Sequence, residues 1–206
     1  YTGLHMRAVL RFVASVMMVS GALLIGEAAI TLLWQEPVSA YVAEREQGSL
    51  EKALEKPPKR VLERKPLKGD AIGRIEIPAI GVREFVVEGT DTASLRKGPG
   101  HYPKTPLPGE RGTSAIAGHR TTYGAPFRRV VDLTRGQRVI VDTPQGRDVY
   151  QVERLKFGPA TELSVLRPVR HKRLILSACH PLYSAAERVI VFTRLHHTER
   201  SRVTKS

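Results

Sequence analysis

Short apolar runs, separated by turns rich in glycine and proline, occupy the sequence from residue 69 to residue 195. Runs of this length that are rich in Val, Ile, Thr and aromatic residues are typical of β-strands. The pattern predicts strands over residues 71–77, 82–88, 113–118, 138–142, 148–157, 173–178 and 188–195. Many short strands with little helix between them favour a β-barrel or a β-sandwich.

The connections between these runs carry signals of their own. Asp91 can cap a helical turn that reaches Leu95, because its carboxylate accepts hydrogen bonds from free backbone N–H groups. The segment 143–146 contains Pro and Gly and predicts a hairpin between the fourth and fifth strands. A short helix is predicted over residues 126–131.

The N-terminal part of the chain is apolar over residues 12–34, with Glu27 as its one charged residue. A helix of these 23 residues, at about 1.5 Å per residue, is about 34 Å long and can cross a hydrocarbon core of about 30 Å. Residues 38–40, Val-Ser-Ala, resemble a signal-peptidase site. A retained membrane anchor is the prediction, because the apolar segment is longer than the core of a signal peptide, and cleavage is the alternative.

The charges on either side of this segment predict its orientation. Arg7 and Arg11 precede it, whereas Arg45 is the only Lys or Arg in residues 35–49, and Trp34 stands where an interfacial aromatic would anchor the helix. The positive-inside rule then places the N-terminus in the cytoplasm. We expect a single-pass protein of the cell membrane with its C-terminal domain outside the cell.

Residues 36–68 are charged and poor in apolar side chains. Gly48 weakens a helix in this region, and Pro57 and Pro58 end it and begin a stiff connector. We interpret the segment as a spacer. The predicted organisation is a membrane anchor over 1–35, a stalk over 36–68, a folded β domain over 69–197 and a polar, frayed tail over 198–206.

The chain is strongly basic, with 33 Lys and Arg against 20 Asp and Glu and a formal net charge of +13. Such an excess raises nucleic acid as a partner class. The basic residues are scattered, however, and no basic strand is interleaved with aromatic residues. Anionic lipid headgroups or wall polymers are therefore the expected partners, and nucleic acid is not.

Cys179 is the only cysteine of the chain, so it is either a reactive thiol or a small buried hydrophobe. It ends one predicted strand, Arg188 begins the next, and His119 ends an earlier one. A thiol becomes nucleophilic beside a cation or a base. His119 can transfer protons and the Arg188 guanidinium can hold an oxyanion. Together the three residues indicate a cysteine acyl-transfer site.

His180 and a metal offer alternative interpretations of this region. His180 follows the cysteine directly, so it competes with His119 for the base role or shapes the turn with Pro181. Metal binding by His119, Cys179 and His180 matches no standard zinc spacing. No metal and no cofactor are therefore predicted.

Six segments of the sequence resemble the sortases, membrane-anchored cysteine transpeptidases of Gram-positive bacteria. They are residues 75–81, 87–89, 98–102, 117–127, 176–181 and 188–191. The histidine segment and the cysteine-to-arginine pair are the most specific of them. The short gap between Cys179 and Arg188 and the His-Arg-Thr-Thr-Tyr run resemble class E, the actinobacterial group.

The resemblance implies an eight-stranded sortase β-barrel and a reaction in two halves. Cys179 would attack the Thr–Gly carbonyl of an LPXTG- or LAXTG-type sorting signal, Arg188 would stabilise the oxyanion, and His119 would protonate the departing glycine amine. An amine of a cell-wall precursor or of a pilin lysine would then resolve the thioacyl enzyme. The loop 158–172 would wall the peptide groove.

The resemblance also implies a substrate-binding set, which comprises Tyr123, Ala117, Ser177 and Ala178. Tyr123 occupies the position of a class E tyrosine that is linked to preference for Ala over Pro in the signal. Sortases usually carry Thr before the cysteine, and here Ala178 replaces it. This departure leaves a hydrolytic or impaired sortase-like protein as one alternative, and the net charge leaves a non-catalytic basic wall-binding protein as another.

Overall fold

The computed structural model describes residues 2–33 and 37–201. The chain divides into two compact units, one up to Pro37 and one from Val38 onward. The first contains helix α1 (Thr2–Leu33), in which His5–Ile30 is long and apolar enough to cross a membrane. The large apolar side chains of this stretch are exposed. Trp34 and the predicted boundary after residue 35 lie outside the described residues.

The second unit is built on a closed β-barrel. Among the described residues its strands are β1 (Ala71–Ile77), β2 (Val82–Glu88), β3 (Gly100–His101), β4 (Gly112–Ala117), β5 (Arg138–Thr143), β6 (Gly146–Pro159), β7 (Lys172–His180) and β8 (Glu187–Glu199). They follow the order β1-β2-β3-β4-β7-β8-β6-β5 around the barrel. The pairs β2–β3 and β4–β7 are parallel, and the other pairs are antiparallel. The expected eight-stranded barrel is confirmed.

Alternation along the strands gives the barrel two apolar faces, because successive side chains of a strand point to opposite sides. Leu176, Val191 and Phe127 belong to the large interior cluster. Ile175 and Ile190 belong to a smaller cluster that also contains Ala115 and Phe192, with Val165 packed against it. This second cluster lies on the outer face of β4, β7 and β8, and it borders the site described below.

Two local predictions differ from the structure. β3 was not predicted, because two residues within a glycine-rich loop show no apolar period. The predicted helix at residues 126–131 is a series of turns followed by a 3₁₀ helix at Val130–Asp132. The backbone N–H groups of Arg128 and Val130 donate to carbonyls three residues earlier, Ala125 O and Phe127 O, rather than four residues earlier as in an α-helix. The Asp91 cap of helix α4 (Thr92–Leu95) and the hairpin from β5 to β6 are confirmed.

The C-terminal strand is longer than its apolar run. β8 continues to Glu199 and pairs with β6 over its whole length. The Thr198 hydroxyl donates to Asp148 at 2.6 Å, and the Ser201 hydroxyl donates to Asp142 at 3.0 Å. Residues 196–201 are therefore ordered by polar contacts that apolar periodicity does not report, and residues 202–206 lie outside the described residues.

The segment interpreted as a spacer packs against the barrel from residue 38 onward. Helix α2 (Pro37–Glu55) buries Leu50 and Leu54 against Ala71 and Val87. The Gln47 amide donates to Phe85 O at 3.0 Å and to Lys97 O at 2.7 Å, and it accepts from Phe85 N at 2.6 Å. Helix α3 (Lys59–Leu62) buries Val61, whose carbonyl accepts from Gln145 at 2.8 Å. Both helices therefore belong to the folded unit.

Glu84 is a partly buried carboxyl on the interior side of β2. It lies opposite Ile75 in the antiparallel register, so it shares the interior face with that core residue. Burial raises the pKa of Glu84 to about 7 from 4.5. The charged form is therefore the disfavoured form in the folded protein.

We predict that Glu84→Gln stabilises the protein at pH 8 and has little effect on stability at pH 4. Because the folded pKa lies above the unfolded pKa, the wild type keeps its full stability below pH 4.5 and loses stability as the pH rises to about 7. The gain at pH 8 should be about 2–3 kcal/mol, measured by urea unfolding followed by near-ultraviolet circular dichroism. Exposed Glu44→Gln is the control, and equal gains at both pH values would contradict the prediction.

Candidate active site

β7 and β8 place the cysteine opposite the arginine. In their antiparallel register Cys179 is the Cα partner of Arg188. Both side chains are partly exposed. The Arg188 guanidinium is fixed through Nη1, which donates to Ala185 O at 3.2 Å and to Glu187 O at 3.1 Å. Its Nε and Nη2 donors have no hydrogen-bond partner among the described residues, so they can serve an oxyanion beside the thiol.

β4 brings the histidine to the same end of the barrel. It runs parallel to β7 with Ala117 paired to Ser177, and the N–H of Gly118 donates to Ser177 O at 3.0 Å. His119 follows directly, so it leaves β4 where Cys179 leaves β7. Burial lowers the pKa of His119 below its usual value. Its buried Nε2 has no hydrogen-bond partner among the described residues.

The loop after His119 is held in a strained backbone conformation. Tyr123 and Ala125 have φ of 51° and 46°, and Gly124 between them has φ of 74°. Left-handed backbone costs about 1 kcal/mol or more for a residue with a side chain, and it persists only where surrounding contacts impose it. One such contact comes from α2, where the Ser39 hydroxyl accepts from Tyr123 N at 3.0 Å. Helix α2 thus supports the loop that carries His119.

Tyr123 lies beside His119. Its ring centroid is 5.2 Å from that of His119, and the rings are tilted by 46°. The guanidinium carbon of Arg96 lies over the Tyr123 ring, 5.6 Å from its centroid. A half-buried tyrosine at this point can contact a peptide that reaches Cys179.

Residue 118 must be a glycine because the Phe127 ring packs directly against its backbone. A Cβ at this position would lie 2.5 Å from the Phe127 ring, which is fully buried in the interior cluster. Real Cβ contacts are not this short, so a larger residue would displace either the ring or the end of β4. Phe127 also fixes the loop through its N–H bond to His119 O. The position of His119 is therefore set by core packing as well as by the sheet.

Arg120 is a functional candidate that the sequence did not identify. The residue is buried, and its Nη1 donates to Cys179 O at 3.1 Å. Its Nε and Nη2 donate to Arg128 O, both at 3.2 Å. Burial and then the Arg128 charge lower the pKa of Arg120, and a Cys179 thiolate would act in the opposite direction. Arg120 therefore ties the histidine loop to the cysteine and directs positive charge towards it.

His180 is held by contacts of a structural kind. Its Nδ1 lies 3.3 Å from Nη1 of Arg120, and its ring centroid is 4.6 Å from that of Phe157. These contacts support the turn-shaping role that the sequence left open. No group of three or more His, Cys, Asp and Glu side chains among the described residues could hold a metal ion.

A groove lies beside Arg188 and Ser177 on the outer face of β7 and β8. It is lined by Tyr102, Pro159, Ala160, Glu162, Val165, Leu166, Ile175, Ser177, Arg188 and Ile190. Part of the predicted loop 158–172 forms one wall. Ser177 is therefore at the groove, and Ala117 is its partner on β4.

Ala178 faces the other way. Its side chain belongs to the interior cluster and is 3% exposed. A hydroxyl at this position would therefore point into the apolar barrel rather than into the groove. Any contact of Ala178 with a peptide would be made by its backbone.

The barrel with a thiol, an imidazole and a guanidinium at one end defines the class of cysteine transpeptidases built on a mixed β-barrel. The sequence profile of the sortase domain matches residues 75–196, more than half of the chain. The chain therefore belongs to the sortase family, whose members are cysteine transpeptidases.

Individual relatives agree with this assignment. Sortase D from Bacillus subtilis (strain 168) is 34% identical over 132 residues, which cover 62% of this chain and 65% of that protein. Sortase SrtE1 from Streptomyces coelicolor is 29% identical over 143 residues, which cover 62% of this chain and 41% of that protein. The chain thus spans less than two thirds of the length of either relative.

A solved structure shows the same fold. A Clostridium perfringens Sortase D5 transpeptidase superposes with a TM-score of 0.66 at 24% identity, over 76% of this chain and 99% of that one. The expected assignment to class E is not confirmed, because Sortase D matches at higher identity than Sortase SrtE1.

We predict that Arg120→Gln lowers kcat for peptide transfer at least about tenfold and leaves KM within about twofold. Loss of the buried cation should also slow the alkylation of Cys179 by iodoacetamide, recorded as a rate profile over pH. Arg120→Lys should restore part of both properties, because it returns the charge without the fork of donors.

Arg129→Gln is the matched control, since Arg129 is an exposed arginine paired with Asp132. A variant Arg120→Gln that is merely less stable, with an unchanged alkylation profile and an unchanged kcat at low temperature, would show that Arg120 is not a positioning residue.

Proposed function

We propose that the protein is a membrane-anchored transpeptidase that cleaves the Thr–Gly bond of a sorting signal and transfers the acyl group to an amine. The observation that supports this proposal is the register of β4, β7 and β8, which brings His119, Cys179 and Arg188 to one rim of the barrel, where Arg188 also lines the groove. A thiol nucleophile, a proton carrier and an oxyanion donor are the groups that acyl transfer needs.

The first half of the reaction forms a thioester. The lowered pKa of His119 keeps its imidazole neutral near pH 7, so it can accept the proton of Cys179. The Cys179 sulfur then bonds to the threonine carbonyl carbon, and the oxyanion lies against Nε and Nη2 of Arg188. When the C–N bond breaks, His119 returns the proton to the glycine amine, which leaves.

The second half transfers the acyl group. An amine of a cell-wall precursor or of a pilin lysine attacks the thioester carbonyl, and its excess proton passes to His119. The C–S bond breaks, and the proton returns from His119 to the sulfur. The acceptor ends with a new amide bond, and Cys179 ends as a free thiol.

The sorting signal is proposed to be of the LAXTG or LPXTG type. The ring of Tyr123 lies at 5.2 Å from that of His119, where it can contact the residue before the X position of a bound signal. A class E preference for Ala over Pro is proposed on this basis. Ala117, Ser177 and the backbone of Ala178 are proposed to line the path of the same peptide.

Helix α1 is proposed to anchor the protein in the cell membrane, with its N-terminus in the cytoplasm and the barrel outside. The exposed apolar surface of His5–Ile30 supports an anchor, and Arg7 and Arg11 support the orientation. Retention of α1 is supported by Ser39, because cleavage after residue 40 would remove its contact with the histidine loop.

Neither alternative is favoured by a specific observation. The hydrolytic or impaired enzyme was suggested by Ala178, and that side chain lies in the interior cluster rather than in the groove. The non-catalytic wall-binding protein was suggested by net charge alone.

We predict that the full chain in detergent micelles joins LAXTG and LPXTG peptides to a glycine-based amine. Mass spectrometry should detect the transfer product and the released glycine fragment. Cys179→Ala should abolish both, because no other thiol exists in the chain. Preference for the LAXTG peptide should fall in Tyr123→Ala.

Ser184→Ala, a change in the loop between β7 and β8, is the control and should leave transfer intact. Mainly hydrolysis in the presence of excess amine would support the hydrolytic alternative. Absence of transfer, of cleavage and of a thioacyl adduct on Cys179 would contradict the proposed function.

We predict that the acidic limb of the kcat/KM profile lies below pH 6.5. Burial lowers the pKa of His119 from its usual 6.5, so the neutral form that accepts the thiol proton persists to lower pH. The limb is measured with the preferred peptide between pH 4.5 and pH 8. Gly124→Ala changes the same loop and serves as the control for whether a disturbed loop alone shifts the pH of the acidic limb. A wild-type acidic limb centred above pH 6.5 would contradict the prediction.

A further inference from the structure

A basic pocket lies next to the peptide groove on the outer face of the barrel. We use the name basic pocket for the cavity of about 290 Å³ lined by Arg154, Lys156, Ser164, Val165, Arg167, Val169, Arg173 and Phe192. None of these lining residues is acidic. Val165 also lines the groove, so the two spaces adjoin.

The register of the sheet places the pocket on the same face as the cysteine. Cys179 pairs with Arg188, and four residues back along β7 Ile175 pairs with Phe192. Phe192 in turn pairs with Arg154 on β6. An even number of residues separates these rows, so their side chains share one face. At about 3.3 Å per residue, the pocket begins about 13 Å from Cys179 and extends to Arg173 at about 20 Å.

Two of the arginines of the pocket contact the same aromatic ring, that of Phe192. The guanidinium carbon of Arg154 lies 3.8 Å from the Phe192 ring centroid, and that of Arg173 lies 5.5 Å from it. Arg173 is fixed by donating to Thr113 Oγ1 at 2.7 Å, to Val165 O at 3.0 Å and to Arg167 O at 2.9 Å. The two guanidinium groups repel each other, since besides burial the charge of Arg154 lowers the pKa of Arg173, and an anion bound beside both would relieve the repulsion.

Nearby carboxylates offset only part of this charge. Lys156 is bonded to Glu162, and Glu153 is bonded to Arg194 at 2.7 Å. No ion pair of Arg154, Arg167 or Arg173 is found among the described residues. Burial and then the charge of Arg154 lower the pKa of Arg173, and the charge of Glu153 acts in the opposite direction without reversing the shift.

The end of β7 determines which part of a bound peptide meets the pocket. β7 stops at His180, one residue beyond Cys179, so the groove extends from the cysteine only towards Arg173. The acyl half of the substrate stays on the sulfur, and it therefore follows this direction. With the signal threonine at Cys179, its leucine lies three residues away, at about 10 Å, against the apolar groove. The next three residues reach about 13–20 Å, which is the span of the basic pocket.

We propose that the basic pocket binds carboxylate side chains at the one to three positions before the leucine of the sorting signal. This proposal rests on the proposed function and specifies its substrate class as signals preceded by acidic residues. Continuity of the pocket with the groove favours this peptide over a membrane surface, because any extended signal of sufficient length must pass the pocket.

The test compares peptides Glu-Glu-LAXTG, Gln-Gln-LAXTG and Lys-Lys-LAXTG with the full chain in neutral detergent. At low salt, kcat/KM should be about five- to tenfold higher for the Glu peptide than for the Gln peptide, mainly through KM, and lowest for the Lys peptide. In Arg154→Gln the ratio of Glu to Gln should fall to about twofold. High salt should reduce it similarly, because the site is open to solvent.

Arg135→Gln, an exposed arginine outside the pocket, is the matched control and should keep the full ratio. Equal rates for the Glu and Gln peptides, with normal turnover of both, would overturn this inference and leave the proposed function intact. Equal peptide rates together with weaker binding of Arg154→Gln to phosphatidylglycerol vesicles would overturn it in favour of a membrane contact. Absence of turnover for every peptide would instead contradict the proposed function.

Discussion

The pairing of β7 with its two neighbours is the constraint on which the site depends. β7 is parallel to β4 and antiparallel to β8, so the ends of β4 and β7 and the start of β8 meet at one rim. The backbone hydrogen bonds that close the barrel also align His119, Cys179 and Arg188. A slip of β7 by one residue would turn Cys179 into the interior and Ala178 towards the groove. Leu174 and Leu176 oppose such a slip, because it would move both out of the core.

Most of the barrel could be predicted from the sequence, since the strands that bury one face carry an apolar period. The meeting of the candidate catalytic residues at one rim could be predicted as well, because each stands at one end of such a strand and because their types together fit one chemistry. β3 and the end of β8 could not, since Gly100–His101 has no period and residues 196–199 are polar. Arg120 also escaped prediction, because an arginine after a histidine does not differ in sequence from any surface cation.

The sequence of helix α2 contains an apolar helical period that its overall charged composition does not reveal. The segment is charged overall, yet Ala43, Leu50 and Leu54 recur at helical spacing with Gln47 between them. These are the positions that contact the barrel: Leu50 and Leu54 through apolar packing, and Gln47 through two backbone partners. An amphipathic stripe of this kind predicts a packed helix even where mean polarity suggests a spacer. The packing of this stripe on the barrel also fixes Ser39 at the start of α2, where its hydroxyl contacts the loop that carries His119.

Three arginines lie at different depths along the proposed path of the peptide, and the burial of each determines the role for which it is suited. Arg120 is buried next to the cysteine. Removal of an ion from water typically costs several kcal/mol, and the exclusion of water also strengthens the electrostatic interaction of the Arg120 charge with nearby groups. Carbonyls of Arg128 and Cys179 replace part of that water without neutralising the charge. Arg188 is half exposed and keeps free donors for an oxyanion that exists only during reaction. Arg154 is exposed, so salt and water weaken its attraction, and it suits reversible selection of a peptide better than chemistry.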